Sequence, residues 1–495
     1  MIEIMFKGRY TVFLFIIVCL LSSCVKEEQY LADSAARLLF SDDTIMFDTV
    51  FTTMGTTTHQ VRVYNNYDEP LLISSVTLRG GTLSRFRINV DGDTSIVAHD
   101  IEIAAHDSIF IFVQANINPN DQLSPFLVED CIVFSFNNHQ QELPLIAYGR
   151  NAVYHLPDRR VYSTYINQQG NVDTIWYPYS IVECDNWDHT RPHVIFGYAV
   201  VNSNKTLHLV AGDELYFGTD SYLWIYDSAT LDVRGNRDNP VLFTSLRHDG
   251  WYDTLPGQWG YLWFSAGSKD SYMEHAIVEN SIYGIRVDTN VNANPTLELH
   301  DCIIKNHSCT GIIGQGAYIT GDNLLVVCCG QNLLCLQYGG RYRFSNSTFA
   351  NYWRYDSRKY PSLVLNNYYT YYNTVYPRDL EEASFTNCII YGNYNGRDNT
   401  GEMAFDSFDG AAFNYNFDHC LLKTSLIDSA DHPSACIIVG RDPLFVQPRG
   451  NNYHLQADSP ARGAGNAAAV TNPLDIEGTT RANPPSIGAY EFSDM

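Results

Sequence analysis

The chain has 495 residues, which is enough for more than one domain and for a large hydrophobic core. Its 31 basic and 55 acidic residues give a net charge of −24, which argues against nucleic acid as a partner and disfavours anionic polysaccharides. Aromatic residues make up 13% and charged residues only 17%, a balance typical of β-rich proteins rather than helical or disordered ones.

The N-terminus has the pattern of a secretory signal. Lys7 and Arg9 precede an apolar run over residues 10–21, which is too short to span a bilayer as a stable helix. This pattern predicts a signal peptide over residues 1–23. It ends on Leu-Ser-Ser-Cys, which resembles the lipobox of bacterial lipoproteins and implies that Cys24 is lipidated. A secreted protein with an unrelated cysteine at this place is the alternative.

Residues 24–40 are predicted to be a lipid-anchored tether. Lys26, followed by Glu27 and Glu28, resembles the export signal that sends lipoproteins to the outer face of some glycan-degrading Gram-negative bacteria. The resemblance implies an outer-membrane lipoprotein that faces the cell exterior and contacts the membrane through its acyl chains. A periplasm-facing anchor stays the alternative, because a solvated tether is also rich in charge.

Short strands of alternating hydrophobicity follow in residues 41–150. About seven such strands, separated by turn residues, predict an antiparallel β-sandwich of immunoglobulin type. Residues 61–66, 71–73 and 145–150 resemble the ASPM/SPD-2/Hydin-like Ig domains of bacterial surface proteins. The resemblance implies a spacer or an arm that binds other surface proteins.

The rest of the chain carries a repeat. Residues 151–192 are expected to connect the domains and to cover the first open edge of the repeat. In residues 193–440 a short cassette recurs at spacings of 26, 22 and 23 residues and then at longer ones. Strands of three to five residues at this period predict a parallel β-helix with rungs about 4.8 Å apart. The predicted equivalent inward residues are Ala276, Cys302, Leu324, Ser347, Cys388 and Cys420.

Asparagine closes the cassettes, and cysteine recurs inside them. The asparagines are predicted to form a corner ladder, because asparagine tolerates the left-handed backbone and its amide reaches the next rung. They are Asn280, Asn306, Asn351 and Asn393. The inward cysteines are predicted to be packing residues, although one or two disulfides stay open. The cysteine spacing does not predict a zinc site.

Two stretches resemble a known family. Residues 229–264 resemble the opening rungs of right-handed parallel β-helix lipoproteins, and residues 441–495 resemble the closing segment of the same family, often labelled choice-of-anchor or pectate-lyase-like. The resemblance implies an all-β protein, with the sandwich followed by a right-handed parallel β-helix. Proteins with this fold include polysaccharide lyases, hydrolases and non-catalytic surface proteins, so the fold alone does not identify the function.

The sequence lacks the catalytic motifs of these enzymes. It contains no Arg-x-Pro-x-x-Arg element, no acidic triplet spaced for calcium and no Gly-His-Gly element. Phosphate-binding loops, dinucleotide fingerprints and His-Glu-x-x-His motifs are also missing. We therefore predict no cofactor and no metal ligands, and we assign no catalytic residue.

Two aromatic insertions are candidate glycan sites, because aromatic faces stack on sugar rings and flanking polar groups bond to hydroxyls. The candidate residues are Trp251, Tyr252, Trp353, Arg354, Tyr355, Arg358 and Lys359. The alternative is that these loops only pack over the flank of the β-helix. Trp259 and Trp263 are expected in the core, because they occupy an apolar rung.

These features predict a non-catalytic glycan-interacting or adhesive surface module. One alternative is a polysaccharide lyase or glycoside hydrolase with a divergent site, for which Arg354, Arg358 and Lys359 are the motivation. A second alternative is a structural stalk without a ligand. A contiguous exposed aromatic surface would favour glycan binding, and scattered rings would favour the stalk.

Overall fold

The computed structural model describes residues 29–52, 54–118, 126–166, 171–247, 250–396, 400–428 and 435–493. Strands dominate the described chain, which confirms the all-β prediction, and the chain divides into two compact units, residues 1–151 and 152–495. The predicted signal peptide and Cys24 lie outside the described residues. Among the described residues, no helix is long and apolar enough to span a membrane.

In its described residues, the first unit is a sandwich of nine strands in two sheets, which confirms the predicted sandwich. In sheet order, the four-stranded antiparallel sheet contains Leu39–Phe40, His59–Tyr64, Ser108–Ala115 and Phe86–Val90. The five-stranded sheet contains Ile45–Phe51, His139–Arg150, Phe126–Phe136, Leu71–Leu78 and Val97–Ile103. Its first two strands are parallel and the others antiparallel. Alternate residues face the shared core, as half-buried strands require.

The sandwich begins earlier in the chain than the sequence predicts. Ala36 and Leu38 are buried in its core, and Leu39–Phe40 pairs with the strand His59–Tyr64. The backbone N–H of Leu38 also donates to Oε1 of Gln141 at 2.9 Å. The end of the segment assigned to the tether therefore belongs to the folded domain.

The second unit is a parallel β-helix, as predicted, and the strands of its described residues form three long sheets. Sheet I contains Val153–His155, His193–Ile195, Glu214–Phe217, Val241–Ser245, Ala276–Glu279, Ile303–His307, Leu325–Cys329, Thr348–Asn351, Ile389–Gly392, Leu421–Leu422 and Ile438–Val439. Sheet II contains Arg159–Ile166, Val172–Ile181, Tyr198–Val201, Tyr222–Ile225, Leu262–Phe264, Ile285–Val287, Ile312–Gln315, Leu334–Gln337, Leu363–Asn366 and Met403–Asp406. Sheet III contains Thr206–Val210, Thr230–Arg234, Ser271–Glu274, Leu297–His300, Tyr318–Asp322, Gly340–Ser345, Leu380–Thr386 and Asn416–Asp418.

Each full coil gives one strand to each sheet, and equivalent strands pair in parallel. The exception is the antiparallel hairpin of Arg159–Ile166 and Val172–Ile181 at the start of sheet II. Two small hairpins lie outside the sheets, Tyr368–Tyr371 with Thr374–Pro377 and Phe445–Gln447 with Asn452–Leu455. The short 3-10 helices include Gly81–Leu83, Cys184–Asn186, Gly250–Thr254, Pro448–Gly450 and Ala467–Ala469. The predicted right-handedness of the coil stays a prediction.

The predicted inward column is confirmed. The register aligns all six predicted residues, from Ala276 to Cys420, on successive rungs of sheet I, and each is buried. The ten cysteines in the described part of the chain are free thiols, which confirms the packing interpretation. Burial raises the pKa of Cys302 to about 12, so this thiol stays protonated in the core.

The predicted asparagine ladder is shorter than expected. Asn280 and Asn306 have left-handed backbones with φ of 65° and 61°, and Nδ2 of Asn306 donates to Oδ1 of Asn280 at 2.6 Å. The next rung has Cys328 at this corner, with φ of 56°. Asn351 instead bonds to the backbone of Cys329, and Asn393 accepts a hydrogen bond from an arginine. Asn351 therefore keeps the predicted corner position beside Cys328, but the predicted bond between side-chain amides is wrong for Asn351 and Asn393.

A longer ladder occupies the corner between sheets III and I, directly before the inward column. Its residues share left-handed φ angles of 47–55° on successive rungs, and we call them the corner ladder: His275, Asp301, Asn323, Asn346, Asn387 and His419. Nδ2 of Asn323 donates to Oδ1 of Asp301 at 2.9 Å, and Nδ2 of Asn387 donates to Oδ1 of Asn346 at 3.0 Å. These side chains link the rungs at a backbone conformation that asparagine and aspartate tolerate best.

The closing segment runs along the outer face of sheet I. Its apolar side chains, including Tyr453 and Ile487, form one buried cluster with outward residues of sheet I such as Ile389. Nη2 of Arg481 donates to Oδ1 of Asn323 on the corner ladder at 2.7 Å and to the Gly488 carbonyl at 3.1 Å. The segment therefore closes a flank of the coil and gives sheet I apolar contacts on both faces.

Candidate functional site

The first predicted insertion is only partly available for binding. Trp251 lies on the short helix Gly250–Thr254, and 66% of the residue is exposed. Tyr252 is half-buried, because the guanidinium carbon of Arg247 lies 3.2 Å from the centroid of its ring. Trp251 is therefore the more open ring of this pair.

The second insertion adjoins the first. The Tyr355 hydroxyl donates to the Thr254 carbonyl, which connects the two loops. Trp353 is buried, and its Nε1 donates to Oδ1 of Asp356 at 2.6 Å. Arg354 is exposed and donates to the Arg449 carbonyl at 3.0 Å. The structure brings the predicted clusters together, but the Trp353 ring packs beneath the loop rather than facing solvent.

The remaining predicted cations differ sharply in exposure. Lys359 is exposed, whereas only 3% of the Arg358 side chain is accessible. Nη1 and Nη2 of Arg358 lie 2.6 and 2.8 Å from the two carboxylate oxygens of Glu402, which is fully buried. Ser362 Oγ and the Tyr394 N–H also donate to that carboxylate, at 2.7 and 2.8 Å. Arg358 therefore anchors the insertion to later rungs.

A different surface carries the largest group of aromatic rings. Its members are half-buried side chains on the outer face of sheet II and the hairpin that starts it, and we call them the aromatic strip: Tyr177, Tyr198, Tyr222, Trp224, Tyr261, Trp263 and Tyr283. Each ring contacts at least one other, and together they cover successive rungs. The aromatic surface is therefore contiguous rather than scattered.

Strand register explains the stacking in the aromatic strip. Parallel pairing sets Tyr198 beside Tyr222 and Trp224 beside Trp263. The ring centroids of these pairs are 4.3 and 4.6 Å apart, with interplanar angles of 9° and 7°. These distances are close to the strand spacing of about 4.8 Å, so equivalent rings stack without distortion.

Trp263 lies outside the core, contrary to the prediction. Leu262 and Phe264 point inward and are fully buried, so the alternation of a strand turns Trp263 outward. Trp259 is buried as predicted and stacks on Phe217 at 4.1 Å. The apolar rung therefore contains one core tryptophan and one surface tryptophan.

Polar groups border one end of the aromatic strip. Nε1 of Trp263 donates to Oδ2 of Asp288 at 2.7 Å, and Nε of Arg286 donates to Oδ1 of the same carboxylate at 2.9 Å. Nη2 of Arg286 donates to Oε1 of Gln315 at 3.1 Å. The arginine charge is therefore matched by Asp288, and this end presents hydrogen-bonding groups without a net charge.

The phenols of the aromatic strip remain hydrogen-bonding groups. Burial, together with neighbouring phenols, raises the pKa of Tyr198 and Tyr222, so both hydroxyls stay protonated at neutral pH. A surface of stacked rings with hydroxyls and amides at its edge can cover the apolar face of a sugar and bond to its hydroxyl groups.

A repeated tripeptide could have revealed the aromatic strip. Tyr-Leu-Trp occurs at residues 222–224 and again at residues 261–263. The register pairs Leu223 with Leu262 and Trp224 with Trp263. The sequence spacing hides this repeat, because the two rungs are 39 residues apart and an insertion separates them.

Comparisons with known proteins give distant structural similarity. No family model matches the chain, and no curated protein matches it. A family 123 glycoside hydrolase from Clostridium perfringens has 6% identity, covers 28% of this chain and 43% of its own, and gives a TM-score of 0.17. The ASH/PapD-like domain 7 of human CEP192 has 11% identity, covers 26% of this chain and 95% of its own, and also gives 0.17. At such scores neither similarity bears on function, and this chain spans less than half of the hydrolase.

Proposed function

We propose that the chain is a surface-anchored outer-membrane lipoprotein whose β-helix binds glycans without turning them over. The observation that carries the proposal is the contiguous aromatic strip on sheet II. Monomeric proteins seldom expose large connected apolar surfaces without a binding role. Contiguous rings therefore favour a binding module over a bare stalk.

The charges point to an uncharged polysaccharide as the ligand. The chain carries a net charge of −24, which disfavours the binding of polyanions. At the strip itself, the one arginine at the polar end is paired with Asp288. Ring stacking and hydroxyl bonding then supply the affinity, and both suit neutral sugars.

The geometry gives less support to a lyase. Arg358, one of the three candidate bases, is committed to the buried pair with Glu402. Arg354 donates to a backbone carbonyl. A base that abstracts a proton must reach its substrate, and the buried Arg358 does not meet that requirement.

The cellular location and the partners are part of the proposal. The lipobox ending on Cys24 supports a membrane anchor, and the charged residues after it support display on the cell exterior. The sandwich is proposed to be a spacer or an arm that contacts other surface proteins.

Binding is tested by affinity electrophoresis of the full mature chain in gels that contain neutral polysaccharides. Replacing Trp263 by alanine is expected to weaken binding about tenfold, equivalent to about 1.4 kcal/mol, because tryptophans at binding surfaces commonly contribute this much or more. Trp251→Ala is the matched control, because Trp251 is an exposed tryptophan outside the aromatic strip. Thermal unfolding checks that each variant is folded, and Trp263→Phe should retain most of the affinity.

Three outcomes would contradict the proposal. Loss of binding in Trp251→Ala but not in Trp263→Ala would move the site to the insertions. Absence of retardation by every neutral polysaccharide would favour the stalk. Release of reducing or unsaturated ends in a parallel assay would favour the enzyme.

A further inference from the structure

One group of potential metal ligands lies outside the aromatic strip and the two insertions. A carboxylate oxygen of Glu274, a ring nitrogen of His275 and a carboxylate oxygen of Asp301 all lie within 4.8 Å of one another. Glu274 and His275 are half-buried, and only 8% of Asp301 is exposed. An imidazole and two carboxylates at this separation need only small side-chain rotations to share one cation.

The fold places these three residues together. The strand Ser271–Glu274 of sheet III ends at Glu274, and His275 is the corner residue that follows. The register of sheet I sets His275 beside Asp301 on the next rung of the corner ladder. The β-helix backbone therefore fixes the separation of the ligands without help from a flexible loop.

The corner ladder changes its chemistry at this point. Later rungs use asparagines, which bond to their neighbours, and Asn323 still donates to Asp301 at 2.9 Å. Among the described residues, no hydrogen bond or ion pair joins the His275 ring to Asp301 or to Glu274. The pair of His275 and Asp301 therefore lacks the side-chain bond that joins Asp301 to Asn323 and Asn346 to Asn387.

Two arginines lie near the cluster: Arg234 beside Glu274, and the buried Arg481, which interacts electrostatically with Asp301. Arg234 is the cation near Glu274, but its Nη1 is 4.0 Å from that carboxylate. The same arginine donates to Asp232 at 2.7 Å and lies over the ring of Tyr272. A cation held by the cluster would compensate the buried carboxylate.

We propose that Glu274, His275 and Asp301 bind one divalent transition-metal ion, best matched by Zn²⁺, with water completing the coordination. Zinc accepts imidazole nitrogen and carboxylate oxygen together, whereas calcium prefers a shell of oxygen ligands. The ion would link two rungs of the coil. It would also lie next to the closing segment, because Nδ2 of Asn472 donates to Asp301 at 3.4 Å.

The corner ladder supplies variants that remove a ligand and keep the fold. Asp301→Asn and His275→Asn introduce the residue that the ladder itself uses at Asn323, Asn346 and Asn387, and asparagine tolerates the left-handed backbone. His419→Asn is the matched control, because it makes the same change on the same ladder outside the cluster. Glu274→Gln is a further variant at a half-exposed position.

The test is calorimetric titration of ZnCl₂ into the full mature chain after treatment with a chelator. All proteins carry Cys436→Ser, because Cys436 is an exposed thiol that would itself bind zinc. We expect one binding site per chain, and a dissociation constant at least tenfold higher in Asp301→Asn, His275→Asn and Glu274→Gln. We also expect His419→Asn to bind as the parent does, and the melting temperature of the parent to rise with zinc.

Two results would overturn the proposal. One is the absence of saturable zinc binding in the parent. The other is parent-like affinity in the His275→Asn/Asp301→Asn double variant. Circular dichroism of each variant separates lost binding from lost folding, and Glu274→Gln keeps the test valid if a ladder variant unfolds.

Discussion

Replacing Arg358 by alanine is expected to lower the free energy of unfolding by about 3–5 kcal/mol, because the variant leaves the charge of Glu402 buried and unpaired. The side chains of Arg358 and Glu402 are 3% and 0% exposed, and they meet in a two-point ion pair. Arg358 also donates to the carbonyls of Asn351 and Tyr360, so the insertion loses its anchor as well. Urea unfolding followed by tryptophan fluorescence measures the loss.

Arg354→Ala is the matched control for this experiment. It removes the same side chain from the same insertion, but Arg354 is exposed and its contacts are with the Arg449 carbonyl and Tyr355 at the surface. We expect it to cost less than about 1 kcal/mol, as exposed polar contacts usually do. Equal losses in the two variants would contradict a special role for the buried pair. Replacing both Arg358 and Glu402 by apolar residues should recover part of the lost stability.

The core of the β-helix was predictable from the sequence because it depends on a local repeat. Residues such as Cys302 and Ser347 are flanked by apolar positions at near-constant spacing, and stacking of rungs turns equal spacing into an aligned column. The corner ladder was not predicted, because its residues vary between histidine, aspartate and asparagine. Only the shared left-handed backbone makes them equivalent.

The surfaces were harder to predict, because they depend on which rungs become neighbours. Trp263 was assigned to the core from apolar composition alone, yet alternation along its strand turns it outward onto Trp224. The two insertions were recognised by their aromatic residues. The burial of Trp353 depends on packing within the folded loop, which composition does not reveal. Similarly, the ion pair between Arg358 and Glu402 joins residues that are 44 positions apart.

Acidification is expected to destabilise the β-helix between pH 6.5 and pH 5, above the range in which ordinary carboxylates titrate. His307 is fully buried, and burial lowers its pKa to about 3. Its Nδ1 lies 2.7 Å from Ser281 Oγ. Its Nε2 is buried without a hydrogen-bond partner, so no group would accept a hydrogen bond from Nε2 if it were protonated. On the first strand of sheet I, burial lowers the pKa of His155 to about 4, and the adjacent His193 adds to this shift.

The sign of the effect follows from proton binding. The unfolded chain protonates these histidines near pH 6.5 and the folded chain does not, so lowering the pH through 6.5 favours the unfolded state. The free energy of unfolding therefore has its full value above pH 6.5. It decreases as the pH falls from there to the pKa values that the histidines have in the folded chain. For His307 alone the loss between pH 6.5 and pH 5 is about 2 kcal/mol, and His155 adds a similar amount because its folded-state pKa also lies below pH 5.

A variant that cannot titrate identifies the residue responsible. His307→Gln has its own cost at pH 7.5, since it changes a buried side chain, but its stability should fall about 2 kcal/mol less than that of the parent between pH 6.5 and pH 5. His208→Gln is the control, because it removes an exposed histidine from sheet III, and we expect it to leave the slope unchanged. Urea unfolding at a series of pH values measures the slopes. If His307→Gln retained the full slope of the parent, the acid sensitivity would have to come from other groups.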